Sequence, residues 1–135
     1  MFLFTTPAPA PTAASGQPVT QALRSASGRS GVPFEFLLAT AKRESGLNPT
    51  ARATSSSARG LFQFVEQTWL GLVREAGPTA GLSEEASQIS SSGRGRFSVA
   101  DLGARERILA LRNDPEISAG MAAVLARRNF DGLSR

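Results

Sequence analysis

The chain contains no cysteine, no histidine and no tyrosine. These absences exclude Ser-His-Asp and Cys-His nucleophilic sites. They also remove the usual zinc and haem ligands, and no acidic cluster has the spacing of a calcium loop. No metal or cofactor is therefore expected. Any acid/base chemistry must fall to Asp, Glu, the single Lys42, or an unusual Ser or Arg. Long apolar runs are also missing. Nothing approaches the ~18 apolar residues of a membrane span. The opening Met1-Phe2-Leu3-Phe4 is too short for the apolar region of an export signal and has no basic residues before it. The lack of cysteine suits a periplasmic or extracellular setting.

In 135 residues with 41 % hydrophobic content, the expectation is one globular domain. The net charge is +4, carried almost wholly by arginine. A mildly basic surface suits an anionic polymer. The basic residues are scattered and no aromatic-basic recognition motif is present, so nucleic acid is not the expected partner.

Residues 1–17 are rich in Pro, Ala, Thr and Ser, and read as a flexible or extended leader to a domain spanning 18–135. A first short helix is expected from Pro18 or Thr20 to Ser27, ended by Gly28 and Gly31. Pro33 opens a second helix to Ser45, with Gly46 as its stop. The stretch Leu47–Ser57 reads as a loop. A compact turn at Gly60–Gln63 leads to a third helix, Val65–Ala76, closed by Gly77-Pro78. Residues 79–97 are loop-like, with helical character at Ser83–Ile89. Asp101 caps or opens a helix to Leu111, and Pro115 opens the last, to Asn129. No strand-like alternation stands out, and the predicted class is all-α.

Phe34, Leu37, Leu38 and Ala41 follow the spacing of a buried helical stripe, and Glu44 continues it. A carboxyl group there is expected to be partly desolvated. It also lies in the last helical turn, where the macrodipole is negative. Both effects raise a carboxyl pKa, as a proton donor in glycosidic cleavage requires. The competing reading is a solvated glutamate at a helix end, beside Lys42 and Arg43. The segment Ala58–Phe64 supplies company for Glu44. Gln63 suits a sugar hydroxyl or acetamido group, and Thr54 and Ser55 offer hydroxyls from the loop before it. Phe62 reads equally as a wall beneath a sugar ring or as core. Phe64 and Trp69 read as core.

These residues carry a resemblance. Glu44-Ser45-Gly46 is similar to the Glu-Ser motif of soluble lytic transglycosylases, the goose-type lysozyme-like group. Asn48-Pro49, Ala51, Thr54, Ala58 and Gly60-Leu61-Phe62-Gln63 follow in the family's order, the last resembling its Gly-Leu-Met-Gln signature. Thr68 matches the start of the next helix. The resemblance is strongest over residues 32–76. It implies a helical lysozyme-like (goose-type/SLT) domain and cleavage of the MurNAc–GlcNAc β-1,4 bond without metal or nucleotide. By matched position Glu44 is the acid and then the base, the product is a 1,6-anhydro-MurNAc end, and Thr54 and Gln63 contact the glycan. The implied partners are peptidoglycan glycan strands in the periplasm or cell envelope, with a flagellar, secretion or phage-tail-like assembly as the machine served.

Three departures stand out. Ser57 occupies a place where the family often has Gly, and Glu66 one where Pro is frequent. The family usually continues into a segment with a groove tyrosine, whereas this chain has no tyrosine and stops at Arg135, so a domain lacking that C-terminal segment is expected. Two other functions fit the same scaffold. A hydrolytic lysozyme needs a carboxylate to position water, for which Glu66 and Asp101 are the candidates. A non-catalytic wall-binding or assembly module needs none.

Overall fold

The computed structural model describes residues 9–134, and the fold is mostly helical. Helix α1 spans Pro9–Ser30, α2 Phe34–Ser45, α3 Glu66–Ala76, α4 Ser83–Ser87, α5 Leu102–Ala110 and α6 Pro115–Ser134. Short 3-10 turns at Gly77–Ala80 and Leu111–Asn113 follow α3 and α5. Two three-residue strands, β1 (Ile89–Ser91) and β2 (Phe97–Val99), form an antiparallel hairpin with Ile89 opposite Val99 and Ser91 opposite Phe97.

The core is built on α1 and α6, which pack along each other. Val19, Ala22, Leu23 and Ala26 of α1 are buried at helical spacing, as are Ala119, Ala122, Ala123 and Ala126 of α6. Small side chains on both faces let the two backbones approach closely. Trp69 of α3 is fully buried, and its Nε1 donates to Ile108 O (2.8 Å), tying α3 to α5. Its ring lies 5.2 Å from that of Phe64. Both aromatics are core, as expected.

Two expectations need correction. The first helix starts at Pro9, upstream of Pro18, so the helix extends into the segment read as a leader; residues 1–8 of that segment lie outside the described residues. Pro18 cannot donate to the helical ladder and costs roughly 3 kcal/mol in a helix interior. It sits on the exposed side, and the buried stripe from Val19 onward holds the helix against α6. Of the two glycines expected at its end, Gly31 is the stop: it adopts φ +80° and its N–H donates to Ser27 O (2.9 Å), while Gly28 lies inside the helix. The second correction is the hairpin, in a region read as loop running into a helix cap. Its strands are too short to show alternation. The side-chain amide of Gln67 in α3 serves β2 as a neighbouring strand would, accepting from Phe97 N–H (2.8 Å) and donating to Phe97 O (2.9 Å).

Candidate functional site

The last turn of α2 and the turn after it are held as one unit. Gly46 adopts φ +64° and donates to Lys42 O, ending α2 immediately after Ser45. The Ser45 hydroxyl lies 2.7 Å from Leu61 O, joining the Glu44-Ser45 pair to the Gly60–Gln63 turn across 16 residues of chain. That turn is a tight reversal. Arg59 and Phe64 exchange both backbone hydrogen bonds (3.2 Å each), and Gln63 N–H donates to Gly60 O. The reversal requires left-handed backbone at Gly60 (φ +87°) and Gln63 (φ +53°). Only glycine fits at position 60, because a Cβ there would stand 2.1 Å from Arg112 O. Gln63 adopts an unfavourable conformation for a non-glycine residue. Its side chain compensates locally: Nε2 donates to Gly60 O (2.9 Å) and Ala51 O (3.2 Å). Two carbonyl partners fix the orientation of the amide and leave Oε1 as the acceptor on its other side.

Arg112 supports this turn from behind. It is buried, yet donates from Nη1 to Ser57 O (2.7 Å) and Phe64 O (3.0 Å), and from Nε to Leu109 O (2.9 Å). Burial is the largest influence on its pKa and lowers it from the usual arginine range. Glu66 opposes that effect, and Arg59 and Arg105 reinforce it. The two departures at Ser57 and Glu66 meet each other: Ser57 Oγ accepts from Glu66 N–H (3.1 Å) at the start of α3. A proline at 66 would have no such proton. The Glu66 carboxylate pairs with Arg105.

Glu44, Phe62 and Gln63 line one cavity of about 380 Å³, within the range of roughly 300–1,000 Å³ for small-molecule sites. One wall is α2, through Phe36, Thr40, Arg43 and Glu44. The other is α6, through Ala122, Leu125, Ala126 and Asn129, with Val65 and Thr68 at the base of α3. Phe62 is buried against Phe64 (ring centroids 6.3 Å apart), as its core reading expects, and is also among the residues lining the cavity. Glu44 is the one carboxylate among the lining residues and Arg43 the one cation. A larger concavity of about 1030 Å³ between α1 and α6 contains none of the motif residues.

Three sequence expectations differ from this geometry. The Glu44 side chain is 40 % exposed and faces Arg43 (Nε–Oε2 3.7 Å), so it keeps partial cover but does not continue the buried stripe as expected. The stripe through Leu37 and Ala41 is covered, but Gly46 turns the chain away and Glu44 looks into the open cavity. Thr54 and Ser55 are exposed and are not among the lining residues. Ala53 N–H donates to Ala58 O (3.1 Å), which closes the loop beneath them and turns them outward. Glu66 and Asp101, the candidates for holding water, also lie elsewhere: Asp101 caps α5 by accepting from Ala104 N–H (2.8 Å). Sequence reading passed over Phe36, Thr40, Arg43 and Asn129. The 36–40–43 spacing was available as a helical face, but nothing in sequence placed α6 opposite it. Among the described residues no group of three or more His, Cys, Asp or Glu side chains could hold a metal ion.

The two motifs so joined lie within a single family match: residues 21–89 match the transglycosylase SLT domain. The chain belongs to the transglycosylase SLT domain family. The match covers α1 from Gln21 through β1, and so includes Glu44 and the Gly60–Gln63 turn. SLT domains act on peptidoglycan through transglycosylase chemistry, in the cell envelope. No described helix of this SLT domain is long and apolar enough to cross a membrane. The α6 wall and Arg112 lie beyond the matched span.

Proposed function

We propose that this SLT domain is a peptidoglycan lytic transglycosylase with Glu44 as its only acid/base. The observation that carries the reading is the composition of the cavity: one carboxylate, Glu44, beside Gln63 and Phe62. Two-carboxylate glycosidases need a second acid as nucleophile or base. With one, the substrate must supply the rest. Glu44 donates its proton to the glycosidic oxygen as the C1–O4 bond breaks, and the muramyl acetamido oxygen closes on C1. The resulting carboxylate takes the proton of the 6-hydroxyl, whose oxygen attacks C1 and releases the acetamido group. Glu44 ends protonated as it began, no water is consumed, and the product is a 1,6-anhydro-MurNAc end. Gln63 Oε1 is oriented to accept from a sugar hydroxyl or acetamido N–H, and Phe62 gives an apolar surface for a ring.

Exposure of Glu44 in the free protein is compatible with this role, because a glycan filling the cavity excludes water from it. The positions of Glu66 and Asp101 favour the lytic reaction over hydrolysis, since neither carboxylate is among those lining the cavity. Within the envelope, the reading is local wall opening for a flagellar, secretion or phage-tail-like machine.

The test is product analysis on purified peptidoglycan. Wild type should release anhydromuropeptides, and Glu44→Gln should lose at least ~10²-fold in rate while keeping its helical circular dichroism. Reducing-end products one water heavier would assign hydrolysis. Retention on insoluble wall without any product would assign a binding module.

A further inference from the structure

Arg43 brings the one positive charge to a cavity whose other lining groups, apart from Glu44, are neutral. A basic residue in the last turn of a helix is ordinary, since it complements the macrodipole. Lys42 and Arg43 both occupy that turn of α2, yet only Arg43 is among the residues lining the cavity. Its contact with Glu44 is long, 3.7 Å from Nε to Oε2, and the two side chains are 70 % and 40 % exposed. A solvated pair of this kind holds neither partner firmly. The guanidinium is therefore free to take a better ligand without leaving a buried charge behind.

The neutral part of a glycan is provided for without it. Thr40, Gln63, Thr68 and Asn129 bring hydroxyls and amides to the cavity, while Phe36 and Phe62 bring ring faces. Hydroxyls and acetamido groups need such partners and no full charge. A guanidinium fork, by contrast, matches the planar, two-oxygen geometry of a carboxylate.

We propose that Arg43 is a specificity-determining residue that binds a carboxylate carried by the glycan, so that the site selects an acidic muramyl glycan over a neutral one with the same β-1,4 backbone. The inference rests on the reading of this cavity as a glycan site. Two sources supply a carboxylate in such a polymer: the lactyl group of an unsubstituted muramyl residue, and the stem peptide attached to a substituted one.

The experiment compares three ligands: glycan strands bearing stem peptides, the same strands stripped of peptide so that the lactyl carboxylate is free, and a chitooligosaccharide of equal length. Binding is measured by calorimetry in the Glu44→Gln background, with and without Arg43→Gln or Arg43→Lys. Arg43→Gln should weaken at least one carboxylate-bearing ligand about tenfold and leave the neutral ligand unchanged. Arg43→Lys should recover part of the loss. Raising the salt should erode the acidic preference. Loss confined to the peptide-bearing strand assigns the contact to the stem, and loss confined to the stripped strand assigns it to the lactyl group. On the Glu44-intact protein, Arg43→Gln should raise KM about tenfold and change kcat by less than about threefold. Equal affinity for all three ligands, or an equal loss on all three, overturns the proposal. The binding arm also separates the two readings: absence of cleavage defeats the enzymatic function, whereas an acidic preference lost with Arg43 would stand without it.

Discussion

Replacing Arg112 with methionine tests whether the Gly60–Gln63 turn depends on a remote cation. Methionine keeps much of the length and volume of the side chain, so the change removes hydrogen bonds without opening a large cavity. Three carbonyls lose a charged donor: Ser57 O, Phe64 O and Leu109 O. Phe64 O retains the Arg59 N–H, so its loss is partial. Ser57 O loses a close partner, and stranding a half-buried acceptor costs roughly 1–3 kcal/mol. Against this, the variant no longer desolvates a guanidinium, a return that is often substantial when a whole buried ionic group is replaced. Here only one side of the interaction is removed and the carbonyls stay, so the loss wins. We expect Arg112→Met to destabilise by about 2–3 kcal/mol, a fall in Tm on the order of 10 °C. Urea unfolding should show a lower midpoint with an unchanged slope. Glycan cleavage should fall further than the folded fraction does, because Gln63 belongs to the turn that Arg112 braces. A variant within about 0.5 kcal/mol of wild type, or more stable, would refute the reasoning and make the buried cation incidental.

Gly60→Ala should be worse, since its Cβ would stand 2.1 Å from Arg112 O at φ +87°. A loss of more than about 3 kcal/mol by chemical denaturation is expected, combining left-handed strain with a backbone shift. Gln67→Leu should release the β1–β2 hairpin, which the amide holds at Phe97 N–H and O. Amide exchange at Phe97 should rise while global stability falls by only about 1–2 kcal/mol. Ser118→Ala should be neutral or stabilise by up to about 1 kcal/mol in a thermal melt, because Ser118 Oγ is fully buried with no hydrogen-bond partner.

The sequence was most legible where local chemistry decides structure. Pro33, Gly46, Gly77-Pro78 and Pro115 mark boundaries that tertiary contacts do not move, and the Gly60–Gln63 reversal follows from a glycine at the one place that admits no Cβ. Family membership was legible for the same reason, because the motifs sit in these locally determined turns. The unread parts depend on contacts between distant segments. Pro18 stands inside α1 because α6, a hundred residues away, holds the helix around it. The hairpin depends on Gln67, and its strands are too short to announce themselves. Arg112 looks like one more surface arginine until the carbonyls of Ser57 and Phe64 are placed against it. Glu44 was read as continuing the buried stripe because periodicity reports which side of a helix faces inward, not how fully its last turn is covered. The α6 wall of the cavity was invisible because its face is defined only by what stands opposite.

The 2.7 Å link between the Ser45 hydroxyl and Leu61 O has a consequence for how this region tolerates insertion. It is a shortcut: the acid and the amide are spaced by one side chain, not by the excursion of backbone that separates them in sequence. The tip at Thr54–Ser55 can therefore gain or lose residues, or change composition, while the separation of Glu44 and Gln63 stays where the shortcut sets it. Variation in length would collect at that tip, and engineered peptides or labels could be grafted there without detuning the cleft.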